Sequence, residues 1–170
     1  MRDTYRIGGS VADTGFDELR DLCTAAGDKL SLAIGMQGLL AALTFNDRHS
    51  EAAQLATECT ALIESIGDPA LIVALLVGPM MAKYQAGELV ESLRLAHRMI
   101  DLADSDPTMG NLIVRSPLAL ALMYRGLAEL SLGIPGGREH LDEALATARP
   151  VDPTAYAMTA MVKSLEGLRG

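Results

Sequence analysis

The chain has 170 residues, 49% of them apolar, and a formal net charge of −8, so it is long enough to bury its own core without metal or disulfide support. The acidic balance, with no clustered Lys/Arg stripe, argues against phosphate-backbone binding as the main activity. Aromatics are only 4% and Trp is absent, while Ala, Leu and Met carry the apolar content and favour helix over strand.

Residues Met1–Gly15 contain Gly8-Gly9 and show little periodicity, so they are expected to be a linker or loose lead-in before a helical domain over 16–170. They contain no apolar run of the kind a secretory signal requires. Phe16, Leu19, Leu22, Cys23 and Ala26 recur at helical spacing and predict a short first helix ended by Gly27. Asp28 is placed to cap the next helix, about Lys29–Phe45, which is apolar nearly all round and therefore must be covered on more than one side. After a turn at Asn46–His49, Ser50 is a candidate cap for a helix Glu51–Ile66 with Ala52, Ala56, Cys59, Ile63 and Ile66 inward.

Gly67 and Asp68-Pro69 separate that helix from a second apolar one, Pro69–Ala86, which Pro79 is expected to kink. Glu88–Ala103 is amphipathic, with Leu89, Leu93, Ala96, Ile100 and Ala103 on one stripe. Asp106-Pro107 opens the next inner helix, running to Leu132, with Pro117 either inside it or at its start behind a Ser116 cap. A turn at Gly133–Gly137 leads to a shorter helix ending near Arg149. Asp152-Pro153 opens a last helix, Thr154–Leu168, with a stripe of Ala157, Met161, Leu165 and Leu168. The longest uncharged run, residues 30–46, holds Ser31, Gln37 and Thr44 and is shorter than the roughly 20 apolar residues that span a membrane.

Asp28, Asp68, Asp106 and Asp152 mark intervals that each hold an apolar inner helix, a turn, an amphipathic outer helix and a stop. Such a period is the signature of a helical solenoid. Gly126 lies seven residues before the turn glycine Gly133, Gly137 begins the second helix, and Ala144-Leu145 follows. This pattern resembles the tetratricopeptide motif. Around Gly87 the middle repeat has Ser92, Ala96, Met99 and Ile100, with Met80 where the motif wants a small residue, and in the first repeat only Ala52, Ala56 and Cys59 fit. The large aromatics of the motif are mostly missing and the period is longer than the family's. The chain is therefore similar to the divergent variant found in large bacterial signalling ATPases and MalT-type regulators.

The stretch Asp106–Ala146 also resembles the C-terminal helical region of actinobacterial multidomain proteins. Those join a cyclase-like domain, an ATPase domain and sometimes a LuxR-type DNA-binding domain to such repeats. No cyclase, Walker or helix-turn-helix motif occurs in these residues. The resemblance implies an all-α, right-handed α-α superhelix (a TPR-like solenoid) of about seven helices, as a fragment of a longer chain. The last helix, an inner one without an outer partner, points the same way.

Chemistry-bearing residues are sparse. His49, His97 and His140 lack metal-ligand spacing, and Glu139, Asp142 and Glu143 fit a solvated face near a helix N-terminus. Cys23 and Cys59 read as buried free thiols, which fits a cytoplasmic protein. No catalytic residue, metal site or cofactor is expected. The motif register places Met81, Tyr84, Met123 and Leu127 on a concave apolar wall. Asn111, Arg115 and Ser116 interrupt an apolar segment, either as caps or with Arg115 holding a partner carboxylate near a helix N-terminus. The expected function is a non-enzymatic module for protein–protein or interdomain interaction in a signalling or transcription regulator, with no direct contact to nucleic acid or membrane. The alternative is a sensor holding a small effector in the concave groove.

Overall fold

The computed structural model describes the backbone of residues 9–167 and the side chains of residues 15–166. Residues 1–8 of the expected lead-in, and Leu168 of the expected last stripe, lie outside these. The described residues form helices α1 (Gly9–Ala26), α2 (Lys29–Phe45), α3 (His49–Glu64), α4 (Pro69–Leu75), α5 (Val77–Gln85), α6 (Leu89–Ala103), α7 (Pro117–Leu132), α8 (Gly137–Ala148) and α9 (Pro153–Gly167), and no strand. The protein is all-α. α4 and α5 are two halves of one broken helix, so the described residues contain one helix more than the seven expected.

The helices lie in two layers. Inner helices α2, α4/α5, α7 and α9 each contact the next inner helix, whereas the backbones of outer helices α1, α3, α6 and α8 approach only inner ones, and α3 and α6 meet through the Glu64–Arg98 ion pair. That arrangement is consistent with the expected solenoid, with its tighter spacing on the inner side. The starts of the inner helices follow the aspartate landmarks in three of four cases. The carboxylates of Asp28, Asp68 and Asp152 accept from the backbone N–H of Ser31 at 3.0 Å, Leu71 at 2.9 Å and Ala155 at 3.0 Å. Each satisfies a donor that has no partner within its helix.

The fourth landmark behaves differently. Asp106 does not start an inner helix; it closes a local turn by accepting from Thr108 N at 2.8 Å. Helix α7 begins at Pro117, capped by Ser116 Oγ, which accepts from Ala119 N at 3.3 Å. Of the two starts that the sequence allowed, the later one is found, because Pro117 sits best in the first turn where its missing N–H costs nothing. A strap, residues 104–116, is left between α6 and α7. Ser116 N in turn donates to Asp152 Oδ2 at 3.1 Å, which ties the start of α7 to the start of α9.

Three further boundaries move. α1 begins at Gly9 rather than near Phe16. α3 begins at His49 behind Arg48, so Ser50 is not the cap. The break expected at Pro79 falls at Leu76, between α4 and α5. Pro79 has no N–H to give the carbonyl of Leu75, four residues back, so the helix opens on that side. Gln37 of α2 fills the gap by donating from Nε2 to Leu75 O at 2.8 Å.

The packed faces also differ from the expected stripes. In α6 the buried residues are Ser92, Leu95, Ala96, Met99 and Ala103, while Leu89, Leu93 and Ile100 are only half-buried. In α9 Ala155 and Thr159 face the core, whereas Met161 and Leu165 are 61% and 53% exposed.

The α7–α8 hairpin is tightest where the motif register wants small residues. An ideal Cβ on Gly126 would stand 2.7 Å from Gly137 O, and one on Gly137 would stand 2.7 Å from Gly126 O. The two backbones are in direct contact, which only glycine at both positions allows.

Candidate functional site

The inner layer carries an apolar groove. Its first wall is the α2 stripe Gln37, Leu40, Ala41, Thr44 and Phe45, spaced three and four apart so that all five share one face. Its second wall is Val77, Gly78 and Met81 of α5. Ile113 and Val114 of the strap close the third side, around a space of about 180 Å³. Phe45 stands at the mouth, 81% exposed, with Ile113 at 47% and Leu112 of the strap at 55%. An exposed Phe in a chain with only two Phe residues, next to a concave apolar surface, is the informative kind of exposure.

Gln37 determines how deep the groove is. Its amide bridges Leu75 O and lies 3.5 Å from Cys59 Sγ. A Cβ on Gly78 would meet Gln37 Oε1 at 1.9 Å, so the glycine is what lets the amide reach across from α2 to the broken helix. Burial in this contact pushes the Cys59 thiol up to about 12, against a smaller opposing effect of the Gln37 hydrogen bond. Cys59 is thus an inert packing residue, and both Cys23 and Cys59 are free and buried.

The expected wall residues are only partly brought together. Met81 lines the groove. Tyr84, one turn on, is half-buried and meets Tyr124 edge-on, with ring centroids 5.4 Å apart and an interplanar angle of 72°. Burial pushes the Tyr124 hydroxyl up to about 12, with the neighbouring Tyr84 adding to the shift. Leu127 is half-buried. Met123 is 1% exposed and belongs to the core, so it forms no part of an open wall. The motif register could not separate wall from core here, because α7 is buried nearly all round.

Asn111 and Arg115 are exposed, as expected of recognition residues, but they lie on the strap and not in the first turn of α7. Arg115 follows Val114 directly and makes no ion pair among the described residues. Phe45, Gln37, Ile113 and Val114 were not foreseen. The available signal was Leu112-Ile113-Val114, three bulky aliphatics inside a segment otherwise rich in turn formers.

The remaining polar clusters are structural. Buried Glu129 of α7 accepts from Arg125 Nε at 2.9 Å and lies 2.5 Å from His140 Nδ1 on α8. Burial pushes its carboxyl up, but the hydrogen bonds from Arg125 and His140 outweigh burial and hold it below the usual carboxylate range. Buried Lys83 bonds Thr57 Oγ1 at 2.8 Å and Glu88 Oε2 at 2.6 Å, clamping α3, α5 and the turn before α6. Asp142 pairs with Lys163, while Glu139 and Glu143 are exposed. No group of three or more His, Cys, Asp or Glu side chains among the described residues is arranged to share a metal ion. No helix among them is long and apolar enough to cross a membrane.

No family model matches the chain, and neither a curated protein nor a solved structure does so.

Proposed function

We propose that this chain is a helical-repeat interaction module that binds a polypeptide partner in its inner groove. The observation that carries the reading is the apolar space between α2, α5 and the strap, with Phe45 exposed at its mouth. A concave apolar surface flanked by Arg115, which has no ion pair among the described residues, suits a polypeptide with bulky anchors and a carboxylate. The Gly126–Gly137 contact supports the resemblance to tetratricopeptide repeats of the MalT type, and with it a place in a larger signalling or transcription regulator. In that setting the partner is another domain of the parent protein or a separate chain, and any cyclase or ATPase activity belongs to other domains. The effector-sensor alternative has less support, because about 180 Å³ is below the roughly 300–1,000 Å³ that drug-sized ligands occupy.

The test is a selection of random peptides displayed on phage against the wild-type protein, followed by titration on Ala41→Arg. Ala41 is exposed on the groove wall, so a long charged side chain there fills the groove without entering the core. Peptides whose binding is lost on this folded variant support the reading. Binders indifferent to the substitution, or no binders, overturn it.

A further inference from the structure

The strap lies along the surface that a partner would use. Ala70 and Ala74 of α4 and Gly78 and Met81 of α5 fall at helical spacing on one stripe, and the strap follows it. At one end, an ideal Cβ on Gly110 would stand 2.8 Å from Ala70 O and 2.7 Å from Ala74 N. Only glycine permits so close an approach of strap to helix, and its φ of 72° is one that glycine adopts without strain. At the other end, Ile113 and Val114 line the groove together with Val77, Gly78 and Met81.

Resting on the groove reading above, we propose that Met109–Val114 is a displaceable wall of the groove, covering the α4/α5 stripe until a partner takes its place. The groove's partner is then an extended polypeptide with a similar pair of adjacent bulky aliphatic residues, and it binds by displacing the strap.

Three observations support exchange of the strap. Met109 and Val114 pack against the core, yet Leu112 and Ile113 leave about half their surface in water. The backbone N–H groups of Ile113, Val114 and Arg115 donate to no protein group among the described residues, so side-chain packing alone holds that stretch. At the strap's entrance, Asp104 and Ser105 both take left-handed backbone conformations, with φ of 45° and 68°. Two successive non-glycine residues in that region are unfavourable, so the turn that leads into the strap is itself strained. An occupant supplied by another chain can offer the same aliphatic contacts.

The experiment uses a fluorescent synthetic peptide copying residues 106–117, DPTMGNLIVRSP, titrated by anisotropy against the full chain. The proteins are wild type, the double variant Ile113→Ser/Val114→Ser, and that variant with Ala41→Arg. Because the tethered strap competes at a high effective concentration, the double variant should bind the peptide at least about ten-fold more tightly than wild type. Ala41→Arg should abolish the gain. Should the double variant melt early, Leu112→Ser/Ile113→Ser replaces the two more exposed residues and spares Val114. Equal binding by wild type and a folded opened variant, no binding by the latter, or indifference to Ala41→Arg overturns the proposal. Peptides from the phage selection separate the two readings. If they bind wild type and opened variant equally but require an unfilled groove, displacement is wrong and the groove stands. If no peptide depends on Ala41, both fall.

Discussion

Replacing Gly126 with Ala tests the packing at the α7–α8 hairpin. In an unobstructed helix this change should stabilise by roughly 1 kcal/mol through helix propensity. Here the new Cβ would stand 2.7 Å from the Gly137 carbonyl oxygen and 3.0 Å from Cγ of Leu141, which is fully buried. Neither neighbour is the free end of a flexible side chain, so the helices must separate, and overpacking of this kind costs about 1–3 kcal/mol. The net expectation is destabilisation by about 1 kcal/mol, a fall of roughly 2–4 °C in melting temperature for a chain of this size. Gly126→Leu adds atoms against Leu141 and should lose more. Gly38 in α2 supplies the control, since nothing lies within 4 Å of its Cβ position. Gly38→Ala should therefore raise the melting temperature. Thermal unfolding followed by circular dichroism reads all three, and a Gly126→Ala variant that melts higher than wild type would refute the argument.

The bridge at the broken helix predicts a coupling. Gln37→Ala leaves Leu75 O without a donor and should cost about 1–3 kcal/mol. Pro79→Ala returns an N–H four residues on and should recover part of that loss, so strictly additive effects in a double-mutant cycle would show that Gln37 does not compensate for Pro79. Glu129→Gln should destabilise at neutral pH by about 1–3 kcal/mol, because it removes the charge that Arg125 and His140 share. Since the folded carboxyl lies below its ordinary 4.5, the charge contributes fully above that value and is lost as pH falls through the folded one. Denaturant melts across pH should show the variant and wild type converging in acid, and a gap of constant size would contradict the assignment. Cys59, fully buried with its thiol pushed up to about 12, should resist iodoacetamide at mildly alkaline pH until the chain unfolds; rapid labelling of the native protein would place it at the surface.

The all-α class and most helix boundaries were legible because caps and breakers are local. Asp28, Asp68 and Asp152 act on backbone groups within three residues, and Gly133 ends α7 with a φ of 70°. Gly126 was legible through its spacing from Gly133. The strap was ambiguous because Asp106-Pro107 and Ser116-Pro117 are equally good helix openers, and only packing decides between them. The face of α6 was misjudged for a related reason. Its stripe was drawn on the 4-3-4-3 spacing of Leu89, Leu93, Ala96, Ile100 and Ala103, of which only the two alanines are fully buried, whereas Ser92 Oγ donates to Met80 O at 3.1 Å and Leu95 and Met99 go inward. The groove itself depends on residues from α2, α5 and the strap, which no single periodicity joins. Met123 shows the limit of register arguments on a helix buried almost all round, where every position looks like a core position.

The most direct measurement of the central claim is a methyl NMR titration of the wild-type protein with a peptide selected for groove binding. In the free protein, contacts between the methyls of Ile113 and Val114 and those of Met81 and Leu40 should be visible. On saturation, these contacts should vanish, the Ile113 and Val114 methyls should move to the positions of an unstructured segment, and Met81 and Leu40 should instead show contacts to the peptide. A saturated complex in which Ile113 and Val114 keep their contacts to Met81 would contradict the account.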